Sequence, residues 1–208
     1  TGLDVELAFM GLEDFTYSGG TAFSATFSET GSQSFVVLAT DGCSMAMLTA
    51  VVSVEDVLEE ILTLGWTEPL DEDSGHSPNY LLGSPITVED SGTVVQLGLL
   101  GRTEGVNVRM ALYSAGADGL PSGFVTGTDI ETTVIGSVSW DVDAADIDPG
   151  TYWLMTVFET TGSIGFNSSG SGSVAYRSLS FAAPYPEVFG SAATYSGQVF
   201  NIWMNMSI

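Results

Sequence analysis

Apolar and polar residues alternate along most of this chain. Leu3, Val5, Leu7 and Phe9 are separated by small or polar residues, and Phe23, Ala25 and Phe27 repeat the pattern. Both segments predict half-buried strands, because successive side chains of a strand face opposite ways. Residues 34–40, SFVVLAT, are a continuous apolar run of the kind a fully buried strand carries. Gly19-Gly20 and Thr30-Gly31 supply turns between these segments. At Val54 the period changes. Val54, Val57, Leu58, Ile61 and Leu62 follow helical spacing, with Glu55, Asp56, Glu59 and Glu60 on the other face, which predicts one helix over 54–64. Ser53 followed by Asp56 suits its amino-terminal cap, and Gly65 suits its end.

Residues 69–79, within the stretch EPLDEDSGHSPN, lack an apolar period and predict a linker or exposed loop. Beyond them the period is two. Strands are expected at 86–89, 92–101, 105–114, 123–128, 132–140, 150–158, 162–167, 172–178 and 194–207, separated by Ser-Gly and Pro-Gly turns. Many short strands at this spacing predict a mainly β protein, with an antiparallel jelly-roll-like β-sandwich over 80–208. A smaller β-rich region with one helix, 1–68, precedes it.

Charge narrows the partners. The chain of 208 residues has 26 acidic side chains, three arginines (Arg102, Arg109, Arg177) and no lysine, for a net charge of −23. Such a surface repels phosphate backbones and anionic lipid, so neither nucleic acid nor a membrane is an expected partner. No apolar run reaches membrane-spanning length. The amino terminus shows no basic region followed by an apolar segment, which fits either a cleaved signal or a trimmed initiator Met before Thr1. Cys43 is the only cysteine, so no internal disulfide can form, and its apolar neighbours suit a small buried residue.

Candidate chemistry is sparse. The segment DVDAADID places Asp141, Asp143, Asp146 and Asp148 within eight residues, and clustered oxygens attract hard cations such as calcium. The spacing lacks the Gly and closing Glu of an EF-hand, so a solvated strand end is the favoured reading. No other cofactor is implied. Catalysis by a Ser-His-Asp set would rest on His76 alone, without a nucleophile elbow, and no pair of carboxylates stands out for glycoside hydrolysis. The expectation is a protein that is not an enzyme.

Aromatic residues are the better ligand candidates. Trp140, Tyr152, Trp153, Tyr176, Tyr185, Tyr195 and Trp203 offer flat apolar faces for sugar rings, although strand aromatics usually pack in cores. Tyr152 and Trp153 are adjacent in one strand and must face opposite sides. In GVNVRMALYSAGADGLPSG, residues 105–123, Val106, Val108, Met110 and Leu112 share one face, and Arg109 lies on the other. There a lone cation in an acidic protein is expected to meet a carboxylate, with contact to a sugar or carboxylate ligand as the alternative.

The succession YLLGSPITVEDSGTVVQLGLLG, VRMALYSAGADGLPSG, DIDPGTYWLM and YPEVFGSAATYSGQVFNIWMNM resembles the non-catalytic jelly-roll modules of secreted bacterial surface proteins and of phage particles and tail fibres. It covers residues 80–208. The resemblance implies a structural or display role in a virion or extracellular surface assembly, as decoration, fibre or adhesion component. The alternative is a carbohydrate-binding module of a secreted or cell-surface protein. The closing strand GQVFNIWMNMSI reads as apolar on both faces, which calls for cover by the amino-terminal part or a second subunit and suggests a homo-oligomer.

Overall fold

The computed structural model describes residues 60–168, 170 and 172–208 with their side chains, and five strands before them as backbone. The chain divides into two compact units, Thr1–Leu58 and Glu59–Ile208. In the first, β1 (Asp4–Ala8), β4 (Gly31–Thr40) and β5 (Met45–Val54) form an antiparallel sheet in the order β1-β4-β5, and β2 (Phe15–Thr16) pairs with β3 (Ser24–Ala25). The predicted strands at 3–9, 23–27 and 34–40 correspond to β1, β3 and β4. Cys43 lies outside the described residues.

The second unit is a β-sandwich of two antiparallel sheets. Its strands are β6 (Ile61–Gly65), β7 (Glu72–His76), β8 (Tyr80–Val88), β9 (Gly92–Gly101), β10 (Asn107–Ala115), β11 (Pro121–Gly127), β12 (Glu131–Thr132), β13 (Gly136–Ile147), β14 (Gly150–Phe158), β15 (Gly162–Asn167), β16 (Ser173–Ser178), β17 (Ala193–Ser196), β18 (Val199–Phe200) and β19 (Ile202–Ser207). Sheet I runs β11-β10-β14-β8-β16-β17, with β12 also on β10. Sheet II runs β18-β15-β9-β19-β6, with β13 on β9 and β7 on β15. The core between them is built from residues of both sheets, including Val94, Leu97 and Leu99 of β9, Met110 and Leu112 of β10, Leu154 of β14, and Met204 and Met206 of β19.

No helix is present among the described residues. Where the spacing predicts one over 54–64, Val54 ends β5 and residues 61–65 form β6, paired with β19 from Ser207↔Ile61 to Trp203↔Gly65; residues 55–59 lie outside the described ones. The segment ILTLG also satisfies a period of two. Leu62 and Leu64 pack on the core while Ile61 and Thr63 face outward, and the ladder to β19 overrides local spacing. Gly65 ends this strand rather than capping a helix. Its φ of 123° is open to glycine, and a Cβ there would collide with the Ile202 carbonyl.

The expected linker differs too. Residues 72–76 form β7, paired with β15 from Gly162↔His76 to Phe166↔Glu72, and His76 is a buried strand residue rather than a loop residue. The expected strand 194–207 is three pieces shared between the two sheets. The backbone breaks at Asn201, and beyond it the side chains alternate. Ile202, Met204 and Met206 enter the core, while Trp203, Asn205 and Ser207 take the other face. Trp203 packs over Gly98 and donates from Nε1 to Ser139 Oγ at 2.9 Å. Both edges of β19 are paired, one with β9 and the other with β6.

Sheet I is buried on both faces along its central strands. Its outer side carries a second apolar cluster, with Ala111, Tyr113, Trp153, Met155 and Val157 under Leu179, Phe181 and Phe189. This corrects the ion pair expected for Arg109. Arg109 does face away from the main core, but it is 8 % exposed, beneath the 179–190 segment. Its guanidinium donates to the Ala183 carbonyl at 2.7 Å and lies 4.5 Å from the Tyr185 ring centroid and 5.2 Å from that of Phe181. Among the described residues no carboxylate pairs with it, and the aromatic faces and the carbonyl hold the cation while its Nε has no hydrogen-bond partner. Arg177 holds the same segment by donating to the Phe189 carbonyl.

Candidate functional site

A cleft of about 480 Å³ opens at one rim of the sandwich, within the size range of small-ligand pockets. Register explains its lining. Tyr176 of β16 stands opposite Leu82 of β8, and Tyr195 of β17 opposite Val174 of β16, so these tyrosines share the face that carries core residues Leu82 and Val174. Tyr80, two residues before Leu82, lies on that face as well. Toward β17 this inner face is left partly open. Tyr80 and Tyr195 are 40 % and 36 % exposed, where the same face elsewhere is sealed core. The opposite wall is β7 together with Phe166 of β15, and Gln198 lines the cleft beyond β17.

The three tyrosines form a row across three neighbouring strands. Ring centroids are 6.2 Å apart for Tyr80 and Tyr176 and 5.8 Å apart for Tyr176 and Tyr195, with planes inclined by 57° and 55°. Burial, with Tyr176 beside it, raises the Tyr195 phenol above its ordinary pKa. Asn79 sets the start of the row. Its left-handed backbone, φ 62°, turns the chain from β7 into β8, a conformation that asparagine tolerates. Its Oδ1 accepts from the Phe181 amide at 2.8 Å, tying this turn to the segment over sheet I.

His76 lies at the cleft's inner end, 5 % exposed, edge-on to Phe158 at 5.4 Å and Phe200 at 5.1 Å. Burial lowers its pKa to about 4, so the ring is neutral at ordinary pH. Its Nε2 has no hydrogen-bond partner. Asp73, at the rim, is engaged by Arg102, whose Nε lies 3.2 Å from the carboxylate and whose Nη2 donates to the Leu70 carbonyl. Glu72 accepts from the amide and hydroxyl of Ser168, and these bonds lower its pKa.

Of the aromatic candidates, Tyr176 and Tyr195 line the cleft. Tyr152 is core, with its hydroxyl on the Asp148 carbonyl at 3.0 Å; Trp153 lies on the other face, its Nε1 donating to the Gly119 carbonyl at 3.0 Å. Trp140 is half-buried against the main core. Tyr185 stacks on Phe124 and donates to the Met110 carbonyl, and burial raises its pKa. With Arg109 it fastens a segment, and it is not among the residues lining this cleft. Tyr80 is the residue that sequence reasoning missed. Its signal was the alternation of Tyr80 with Leu82, which places it on the inner face.

The four aspartates are strung along β13 and its end. Asp141 accepts from Gln96 Nε2 at 2.8 Å and Asp146 from Thr93 Oγ1 at 2.7 Å, while Asp143 lies where β13 bulges from β9 and its carbonyl accepts from Thr126. Asp148 is 3.4 Å from Ser91 Oγ. Among the described residues, no three His, Cys, Asp or Glu side chains are gathered as ligands of a metal ion. No described helix is long and apolar enough to cross a membrane.

No protein-family model matches the chain, and neither the curated proteins nor the solved structures contain a match.

Proposed function

We propose that the sandwich is a non-catalytic carbohydrate-binding module. The observation that carries this reading is the tyrosine row: three phenol rings on an inner sheet face, left open at the rim of the sandwich. The C–H faces of sugars stack on such rings, and the hydroxyl and amide groups of Ser74, Ser77 and Gln198 line the same cleft for hydrogen bonding to sugar hydroxyls. Glycan-array or calorimetric binding by the full chain tests it. Tyr176→Ala is expected to weaken binding by tenfold or more with an unchanged circular dichroism spectrum. Equal binding by Tyr176→Ala and Tyr195→Ala would remove the cleft from the account.

The setting we propose is display on an extracellular surface or a virion, as the sequence resemblance implies. A structural role in such an assembly, without a glycan, is the second reading. Its support is the exposed apolar side chains Ile130, Val134 and Ile135, within six residues beside the edge of sheet I.

A further inference from the structure

We infer that the ligand of the tyrosine cleft is a single, soluble, uncharged polysaccharide chain, and neither an acidic glycan nor the face of a crystalline one. This rests on the carbohydrate reading and adds the ligand's class. Ring orientation carries the first half. Planes of neighbouring rings are inclined by 57° and 55°, so no flat surface can lie against two adjacent tyrosines at once. The row follows three strands of a twisted sheet and lies within a cleft, not on an open platform. A free chain, whose successive units rotate about their linkages, can turn each face to meet each ring.

Charge carries the second half. Recognition of uronate or sulfate groups draws on Arg or Lys, and the chain has three arginines and no lysine. No arginine is among the residues lining the cleft: Arg102 is paired with Asp73 at its rim and with the Leu70 carbonyl, Arg109 with the Ala183 carbonyl and Arg177 with the Phe189 carbonyl. The one histidine is buried and neutral. At a net charge of −23 the surrounding field opposes a polyanion, while an uncharged chain is indifferent to it.

Affinity electrophoresis of the full chain tests this, using soluble neutral polysaccharides (hydroxyethyl-cellulose, glucomannan, galactan, dextran) against polygalacturonate at the same salt. Sedimentation with powdered crystalline cellulose and chitin completes the set. The expected result is retardation by at least one neutral soluble chain, reduced tenfold or more in Tyr80→Ala and Tyr176→Ala, with no retention by polygalacturonate or the powders. Binding to polygalacturonate or to a powder that Tyr176→Ala abolishes would overturn the inference while leaving the carbohydrate reading in place. If no carbohydrate of any class binds, both fall. If the wild type sediments as an oligomer and Tyr176→Ala as a monomer, the cleft is a subunit contact and both fall as well.

Discussion

His76 makes one part of the sandwich sensitive to acid. Buried between Phe158 and Phe200, its ring takes up a proton near pH 4, whereas the unfolded chain does so near 6.5. Between those values the unfolded state binds more protons, so stability is complete above about pH 6.5 and declines as pH falls toward 4. Glu72, on the same strand, acts in the same direction, since its bonds to Ser168 weaken as the carboxylate is protonated. His76→Phe keeps the aromatic contacts and removes both the proton site and an unpartnered nitrogen. In urea unfolding, the wild type should lose about 2 kcal/mol more than His76→Phe between pH 7 and pH 5. An identical pH profile for the two proteins would rule this out. None of this was legible in the sequence, where the polar neighbours in DEDSGHSPN place His76 in a loop. Its burial depends on the ladder to β15, which no local pattern announces.

The strands most legible in the sequence are those whose turns and alternation agree: 92–101, 150–158 and 162–167 match β9, β14 and β15 residue for residue. Where two periods fit the same residues, as at 61–65, the distant partner decides, and β19 lies some 140 residues away. Arg109 was misread for a related reason. Parity correctly put it off the main core, but the cover over that face comes from residues 179–190, outside any window around β10. The candidate site was half legible, because aromatic residues were noticed while their gathering depends on cross-strand register. Asn201 was missed altogether. It is fully buried at the break before β19, its Oδ1 accepting from the Leu70 amide at 2.9 Å and its Nδ2 donating to the carbonyls of Trp66 and Glu68 at 3.0 and 2.7 Å. Those bonds pin the connection between β6 and β7, and Gly165 makes room, since a Cβ there would strike the Asn201 amide. Asn201→Ala should cost roughly 1.5–4.5 kcal/mol, the sum of three bonds at about 0.5–1.5 each. Faster hydrogen exchange at the Leu70 amide would localise the loss; an unchanged unfolding midpoint would refute the clasp.

At the level of the whole molecule, every basic side chain serves as an internal fastener in a chain that is otherwise strongly acidic. Arg102 secures the approach to β7, while Arg109 and Arg177 secure the segment over sheet I. For a protease that cuts after basic residues, these 208 residues therefore hold only three scissile bonds, two of them within strands β10 and β16 and the third just after β9. Cleavage requires a peptide to be drawn out into the enzyme's groove, which means opening the strand or segment first. Trypsin should leave the native chain whole for hours and divide it promptly once urea unfolds it, and rapid nicking under native conditions would show that one fastening is weaker than described. Amine-directed labels and lysine-linked modifications likewise find no side chain to attach to. A chain without lysine thus offers no side chain to amine tagging and only three arginine bonds to this class of protease.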